Sequence, residues 1–214
     1  MADKQDYRNG GKFVKINVYV EGSSSPNLTK VRLSQKENIM ALLRRPNPTA
    51  DTVPVCDGNI VLPWRKKLPM GNRWWRIGGA IDRGDAPQEA AARNFNRETG
   101  LSRKVEDFVF LNNLGSWSME VTEKIEKEEE WAGEVKGGYV IEGDRITYWR
   151  HDLCFLHAIV LSRKEVDSFR LDVEEYEQKV RLASPTEVIK MAADGELHES
   201  FFDAFLAIQK ARLL

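Results

Sequence analysis

The sequence has little of what several function classes require. Its two cysteines, Cys56 and Cys154, stand far apart and form no metal-ligand pair, so both read as free thiols, buried or inert. No apolar run is long enough to span a bilayer, and the N-terminal MADKQDYRNGGK has no signal-peptide pattern; the expected setting is the cytoplasm, with no membrane partner. Neither sign of charge dominates. With 32 Lys and Arg against 33 Asp and Glu, the formal net charge is −1, which supplies no nucleic-acid funnel and no membrane-binding face. Internal repeats and low-complexity linkers are missing too. What remains is a chain of 214 residues, long enough to bury a sizeable core in one domain.

One stretch concentrates the local signals. Residues 78–101 read GGAIDRGDAPQEAAARNFNRETGL. Asp85 suits an N-cap, since its carboxylate can accept from the free N–H groups of a first helical turn, and Gln88 follows at capping-box spacing. Pro87 is tolerated in a first turn, Ala90, Ala91 and Ala92 favour helix, and Gly100 suits the left-handed residue that ends one. Such a helix puts positions 94, 97 and 98 on one face, occupied here by Asn94, Arg97 and Glu98.

The spacing resembles the Nudix box: a glycine, five residues, Glu, seven residues, then Arg-Glu-apolar-x-Glu-Glu-x-Gly-apolar. Gly79 takes the first place and Asp85 replaces the first Glu. Arg93, Phe95, Glu98, Gly100 and Leu101 fall in register, while Asn94 and Arg97 stand where the family has carboxylates. The resemblance implies an α/β fold, a Nudix-type α/β/α sandwich around a mixed sheet, and a hydrolase acting on a nucleotide-type small molecule. It implies Mg²⁺ as cofactor, with Mn²⁺ as a substitute, and it is compatible with a homodimer. A diphosphate packs its charge into a small volume, and an enzyme that cleaves one usually brings a hard cation held by oxygens. Replacing two Glu by Asn and Arg moves the local charge by three units. At ~6 Å and an effective dielectric of ~20 each unit pair is worth roughly 3 kcal/mol, so a cluster of several Mg²⁺ ions is not expected. One Mg²⁺ on Glu98, or direct binding of a phosphate oxygen by Arg97, are the two readings left open.

GDP-mannose mannosyl hydrolases depart from the box in the same two places. That resemblance implies one Mg²⁺ held by Glu98 and the carbonyl of Gly78 or Gly79, near Asp85, and attack of water at the sugar carbon of a nucleotide sugar. The subgroup's base is a His in a late loop. Here that stretch reads LDVEEYEQKVRLASPTEV, where Glu177 and Glu174, with Glu175 beside them, are the candidates. Arg93 is expected to orient Glu98 and Asp85, and Arg45 or Arg97 to hold phosphate. The alternative is a catalytically inactive Nudix-fold module that binds a nucleotide or a protein.

The rest of the chain is read in order. Residues 1–11 form a polar, flexible arm, and 12–214 a single domain. FVKINVYV (13–20) alternates as a strand, GSSSPN is a turn and LTKVRL a second strand. Asn38 to Leu43 reads as a buried strand ending in Arg44 and Arg45, which either meet a phosphate or are a solvated strand end. Residues 46–72, rich in proline and with the basic run Arg65, Lys66, Lys67, read as an inserted loop. Of Trp74 and Trp75, one belongs to the core; the other, taken as Trp75, either stacks on substrate or packs. Val105 to Leu114 is a strand, and 116–148 a second insertion. In it VTEKIEKEEEW reads as a helix with a solvated face, or as an acidic segment over the site, and a hairpin follows with turns at Gly137-Gly138 and Gly143-Asp144. His151 to Leu161 is a central strand, with His157 a core residue and His151 the more exposed group. Residues 162–176 are a loop and Val180 to Ala183 a last strand. A helix starts at Ser184-Pro185-x-Glu187 and ends near Gly195, and Glu196 to Leu214 is an amphipathic terminal helix.

Overall fold

The computed structural model describes residues 6–9, 12–15, 34–67, 71–82, 84–127, 131, 138–198 and 200–214. In chain order they form β1 (Asp6–Asn9), β2 (Lys12–Lys15), α1 (Gln35–Arg44), β3 (Asn47–Cys56), β4 (Asn59–Arg65), β5 (Arg73–Trp74), β6 (Ile77–Ala80), α2 (Pro87–Thr99), β7 (Val109–Lys124), β8 (Tyr139–Glu142), β9 (Arg145–Val160), α3 (Arg163–Asp167), β10 (Tyr176–Ala183), α4 (Pro185–Ala193) and α5 (Ser200–Lys210). The main sheet runs β10-β4-β3-β9-β7, with β5 on β4, β6 on β3 and β8 on β9. The β3–β9 pair is parallel and the others antiparallel, so the sheet is mixed, as expected.

Alternation along the central strands assigns the layers. Val53 and Val55 of β3, Ile60 and Leu62 of β4, and Leu156 and Ala158 of β9 face Val188 of α4 and Phe201, Phe205 and Ile208 of α5. Ala50 and Cys56, Val61 and Ile159 face Ala90, Ala91 and Phe95 of α2. Helices therefore cover both faces, and the chain is an α/β/α sandwich. A third cluster packs Ile39 of α1 on Val121, Ile146 and Tyr148, where β7 and β9 run beyond the central sheet. Among the described residues no helix is long and apolar enough to cross a membrane.

Several expectations need correction. Residues 38–43 are helix, not strand: Ser34 caps α1 by accepting from the Glu37 N–H while Glu37 accepts from the Ser34 N–H, a reciprocal box that starts a helix. The supposed loop over 46–72 holds β3 and β4 at the centre of the sheet. Proline survives there because β6 pairs with β3 only as far as Thr52 and β4 joins at Val55, so Pro54 falls between two partners on that side. Val55 itself turns its carbonyl to Leu161, on the β9 side. Residues 121–124 belong to strand β7, not to a helix, since Val121 pairs with Tyr148 and Glu123 with Ile146. Residues 6–9 of the N-terminal arm form β1, antiparallel to β2. Residues 163–167, within the expected loop, form α3, capped by Ser162 with Glu165. The remainder of the 13–20 strand, the turn and strand over 22–33, the acidic positions 128–130 and Gly137 lie outside the described residues. The hairpin does turn at Gly143-Asp144, between β8 and β9. The helix after Ser184 ends at Ala193, two residues before the left-handed Gly195, the terminal helix spans Ser200–Lys210 of the expected 196–214, and Cys56 and Cys154 are free and buried.

Candidate active site

The site is built on β6 and α2. Helix α2 starts one residue later than expected. Ala86 is the N-cap, and its N–H is satisfied by the Glu89 carboxylate at 2.8 Å. Asp85 is thereby released from capping and accepts from Arg93 at 2.9–3.0 Å. Gln88 does not complete a capping box either; it is buried and donates to the carbonyls of Val105 and Phe108, tying down the segment after the helix. Gly100 closes α2 in the left-handed region, φ 71°.

The two glycines make room in different ways. In the β3–β6 ladder Gly78 lies opposite Asp51 and Gly79 opposite Ala50. A methyl group on Gly78 would meet Asp51 Oδ1 at 2.4 Å and the Ala50 carbonyl oxygen at 2.7 Å, so no side chain fits. One on Gly79 would meet Asn94 Nδ2 at 3.4 Å and Arg97 Nη2 at 3.6 Å, so those two side chains lie over a bare glycine.

Glu98 is the centre of the site and is 1% exposed. Its Oε1 accepts from Arg97 Nη2 at 2.6 Å, and its Oε2 accepts from the Tyr176 hydroxyl at 2.7 Å and the Gly78 N–H at 3.4 Å. Burial pushes the Glu98 carboxyl above the usual range, opposed by the Tyr176 hydrogen bond and by the charges of Arg97 and Arg65. Tyr176 is wholly buried, and its hydroxyl is pushed well up by burial and by Glu98. The Arg65 guanidinium lies 5.8 Å from the Tyr176 ring centre and pairs with Glu175, which also holds Lys67 at 2.8 Å. Arg93 bonds Asp85, Asn94 Oδ1 and the Ala80 carbonyl, with Asp82 at 3.5 Å. Asn94 donates to the same Ala80 carbonyl.

The structure thus brings together Glu98, Arg97, Arg93, Asp85, Gly78 and Gly79, and it adds Tyr176, Arg65, Lys67 and Asn94. Glu174 precedes β10 and Glu177 follows Tyr176 in it; both are exposed, and among the described residues no hydrogen bond or ion pair ties either to Glu98, while Glu175 is turned to Arg65 and Lys67. Trp75 is buried, its ring against Arg76 and edge-on to His198, which is packing. Arg45 is the exposed C-cap of α1, and among the described residues no hydrogen bond or ion pair ties it to the box. His151 pairs with Ser118, and His157 is buried in β9. Tyr176 and Arg65 were missed because their link to Glu98 is made by the β4–β10 pairing, in which Tyr176 lies opposite Arg65. The basic run at 65–67 was the one local signal.

The expected divalent ion can be tested against these oxygens. Both oxygens of Glu98 already accept from a cation, a hydroxyl or an amide. Asp85 is turned to Arg93, Asn94 Oδ1 accepts from Arg93, and the Ala80 carbonyl takes two donors. Among the described residues no three His, Cys, Asp or Glu side chains lie close enough together to hold a metal. An ion that wants about six oxygens does not fit this arrangement as it stands.

A family model for the NUDIX domain matches residues 45–204. The chain belongs to the Nudix family. No curated protein sequence matches it. Among solved structures, this Nudix chain is similar to a bifunctional NMN adenylyltransferase/ADP ribose pyrophosphatase from Francisella tularensis, with TM-score 0.50 and 13% identity over 83% of this chain and 44% of that one. It is similar to a MutT/nudix family protein from Enterococcus faecalis, with TM-score 0.42 and 16% identity over 70% and 51%. A third is the MutT protein from Methanosarcina mazei Go1, at 0.49 and 14% over 79% and 98%. The chain spans about half the length of the first two. At these identities the likeness is one of fold.

Proposed function

We propose that this Nudix chain hydrolyses a nucleoside diphosphate joined to a sugar, GDP-mannose being the form we favour, by attack of water at the sugar carbon. The observation that carries this reading is the cationic rim over a buried carboxylate: Arg97 on Glu98, with Arg65 over the Tyr176 ring and Lys67 beside it. Guanidinium groups bind phosphate oxygens through paired N–H donors, so Arg97 and Arg65 hold the diphosphate. Glu98 aims Arg97, and Arg93 fixes the loop through Asp85 and Ala80. Glu177 or Glu174 takes a proton from the attacking water. The water oxygen bonds to the anomeric carbon, the carbon–oxygen bond to phosphate breaks, and the diphosphate leaves with that electron pair against the arginines. No step in this route passes through a metal.

The test is a turnover screen of nucleotide sugars, dinucleotides and nucleoside triphosphates in ¹⁸O water. Free sugar labelled at the anomeric carbon is the expected product. Label on phosphate would overturn attack at carbon. One observation favours a second reading: with the Glu98 oxygens engaged and two box carboxylates replaced, the fold would bind the nucleotide without chemistry. Tight binding with no turnover would establish that instead.

A further inference from the structure

We propose that Arg97 takes the place of a divalent ion in this site: its guanidinium neutralises Glu98 and offers its outer N–H groups to the diphosphate, so that ligand binding needs no metal. The diphosphate part of this inference rests on the function proposed above.

Three observations converge on it. The first is position. Nη2 of Arg97 sits 2.6 Å from Glu98 Oε1 and 3.6 Å from the place a Gly79 side chain would start, so the cation fills the gap between the bare glycine and the box carboxylate. The second is saturation. Glu98 is 1% exposed, and its other oxygen is closed by the Tyr176 hydroxyl and the Gly78 N–H, which leaves it an anchor for Arg97. The third is reach. The Arg97 side chain is 54% exposed and uses one of its nitrogens on Glu98 among the described residues, although a guanidinium has five donors. A cation clamped on its inner side and open on its outer side is built to meet a second anion. Arg65, over the Tyr176 ring that carries the Glu98 hydrogen bond, lies on the same anchor. Asn94, where a carboxylate would compete for Arg97, instead bonds Arg93 and Ala80 and adds no charge.

Two measurements on the full chain test this. In the first, Mn²⁺ alone is titrated and its free signal followed by electron paramagnetic resonance. The parent protein is expected to leave the signal unchanged, and the Asn94→Glu/Arg97→Glu variant to attenuate it, with circular dichroism confirming that the variant is folded. Attenuation by the parent that is lost in Glu98→Gln would overturn the proposal, as would a folded double variant that takes up no Mn²⁺. In the second, calorimetry measures GDP-mannose and inorganic pyrophosphate binding in EDTA and in excess MgCl₂. Affinities within about twofold of each other are expected for the parent, and a loss of about tenfold or more in EDTA for Arg97→Gln. Binding that appears only with Mg²⁺ overturns the inference and leaves the diphosphate reading standing. Binding of neither probe in either buffer defeats the diphosphate reading, and the Mn²⁺ titration still decides the role of Arg97.

Discussion

Two arginine–carboxylate pairs sit on opposite faces of the β3–β6 strand pair, and they differ in one respect. On the α5 face Arg76 bonds Asp51 and also donates to Ser200 Oγ, with 1% of Arg76 exposed. On the α2 face Arg97 bonds Glu98, but its side chain is 54% exposed. Asp51 and Gly78 are register partners, so the two pairs share one rung of the sheet. The buried pair is closed in by protein and Trp75 stacks on its cation at 4.6 Å, which makes it structural. The open pair keeps its cation half in water above a carboxylate that is itself buried, so the outer donors stay available to a ligand.

The comparison breaks most sharply at Arg76. Removing one partner of a buried, hydrogen-bonded pair strands the other charge, so Arg76→Ala is expected to lose about 3–5 kcal/mol of unfolding free energy in urea titrations. The double change Arg76→Met/Asp51→Leu is expected to recover most of that loss, because an apolar pair carries no desolvation penalty. A milder loss for the single variant than for the double one would show that Arg76 does not act through Asp51.

A second large effect tests a buried titratable ring. His157 is 0% exposed, stands edge-on to Phe110, and burial lowers its pKa from 6.5 to about 4. The unfolded chain binds a proton below 6.5 that the folded chain refuses until about 4, so folding loses stability as pH falls through that window. The loss is roughly 3 kcal/mol in all. Unfolding curves between those two pH values, compared for the parent and for His157→Gln, isolate the contribution. Equal slopes for both proteins would mean that His157 is charged in the fold.

How much of this was legible in the sequence depends on how far apart the partners lie. The box helix, the helix after Ser184 and the apolar strand 151–161 are written locally, in caps and runs, and they were readable. Helix α1 was also written locally, in Ser34-x-x-Glu37, and was hidden by the apolar run Ile39 to Leu43, which suits a buried strand as well as a helix. Strand β3 was hidden by Pro46, Pro48 and Pro54, and the tolerance of Pro54 depends on where β6 stops and β4 begins. Residues 121–125 carry enough charge to look helical, yet Val121 and Ile125 belong to a period-two ribbon that packs on α1. In the site, the sequence supplied Glu98, Arg97, Arg93 and Asp85, all within one helix and its loop. It did not supply Tyr176, which is 78 residues from Glu98 and is brought there by β10. The pairing of Arg93 with Asp85 was expected from the sequence, but not that the helix cap passes from Asp85 to Ala86.

The two glycines refine the comparison at smaller cost. Gly78→Ala puts a methyl group 2.4 Å from Asp51 Oδ1 and 2.7 Å from a backbone oxygen, and the backbone cannot yield cheaply. A loss of about 1–3 kcal/mol is expected from that overpacking. Gly79→Ala meets the side chains of Asn94 and Arg97 at ordinary contact distances and is expected to stay within roughly 0.5 kcal/mol of the parent. Equal losses at both positions would show that backbone conformation, not the space around Asp51, requires glycine at 78.

The smallest effect is expected at an exposed carboxylate. Glu187 accepts from the Ser184 N–H and hydroxyl at the start of α4, and these bonds lower its pKa to about 2. Its folded pKa lies below the unfolded 4.5, so its contribution is complete above 4.5 and fades as pH falls from there to about 2. Thermal melts across that acid range should show a shallower pH dependence for Glu187→Gln than for the parent. The difference should be smaller than the one His157 produces between 6.5 and 4, since solvent screens the Glu187 charge and protein surrounds His157. A larger acid response at Glu187 than at His157 would reverse the lesson of the two arginine pairs, that burial and not mere pairing decides what a charge is worth to this fold.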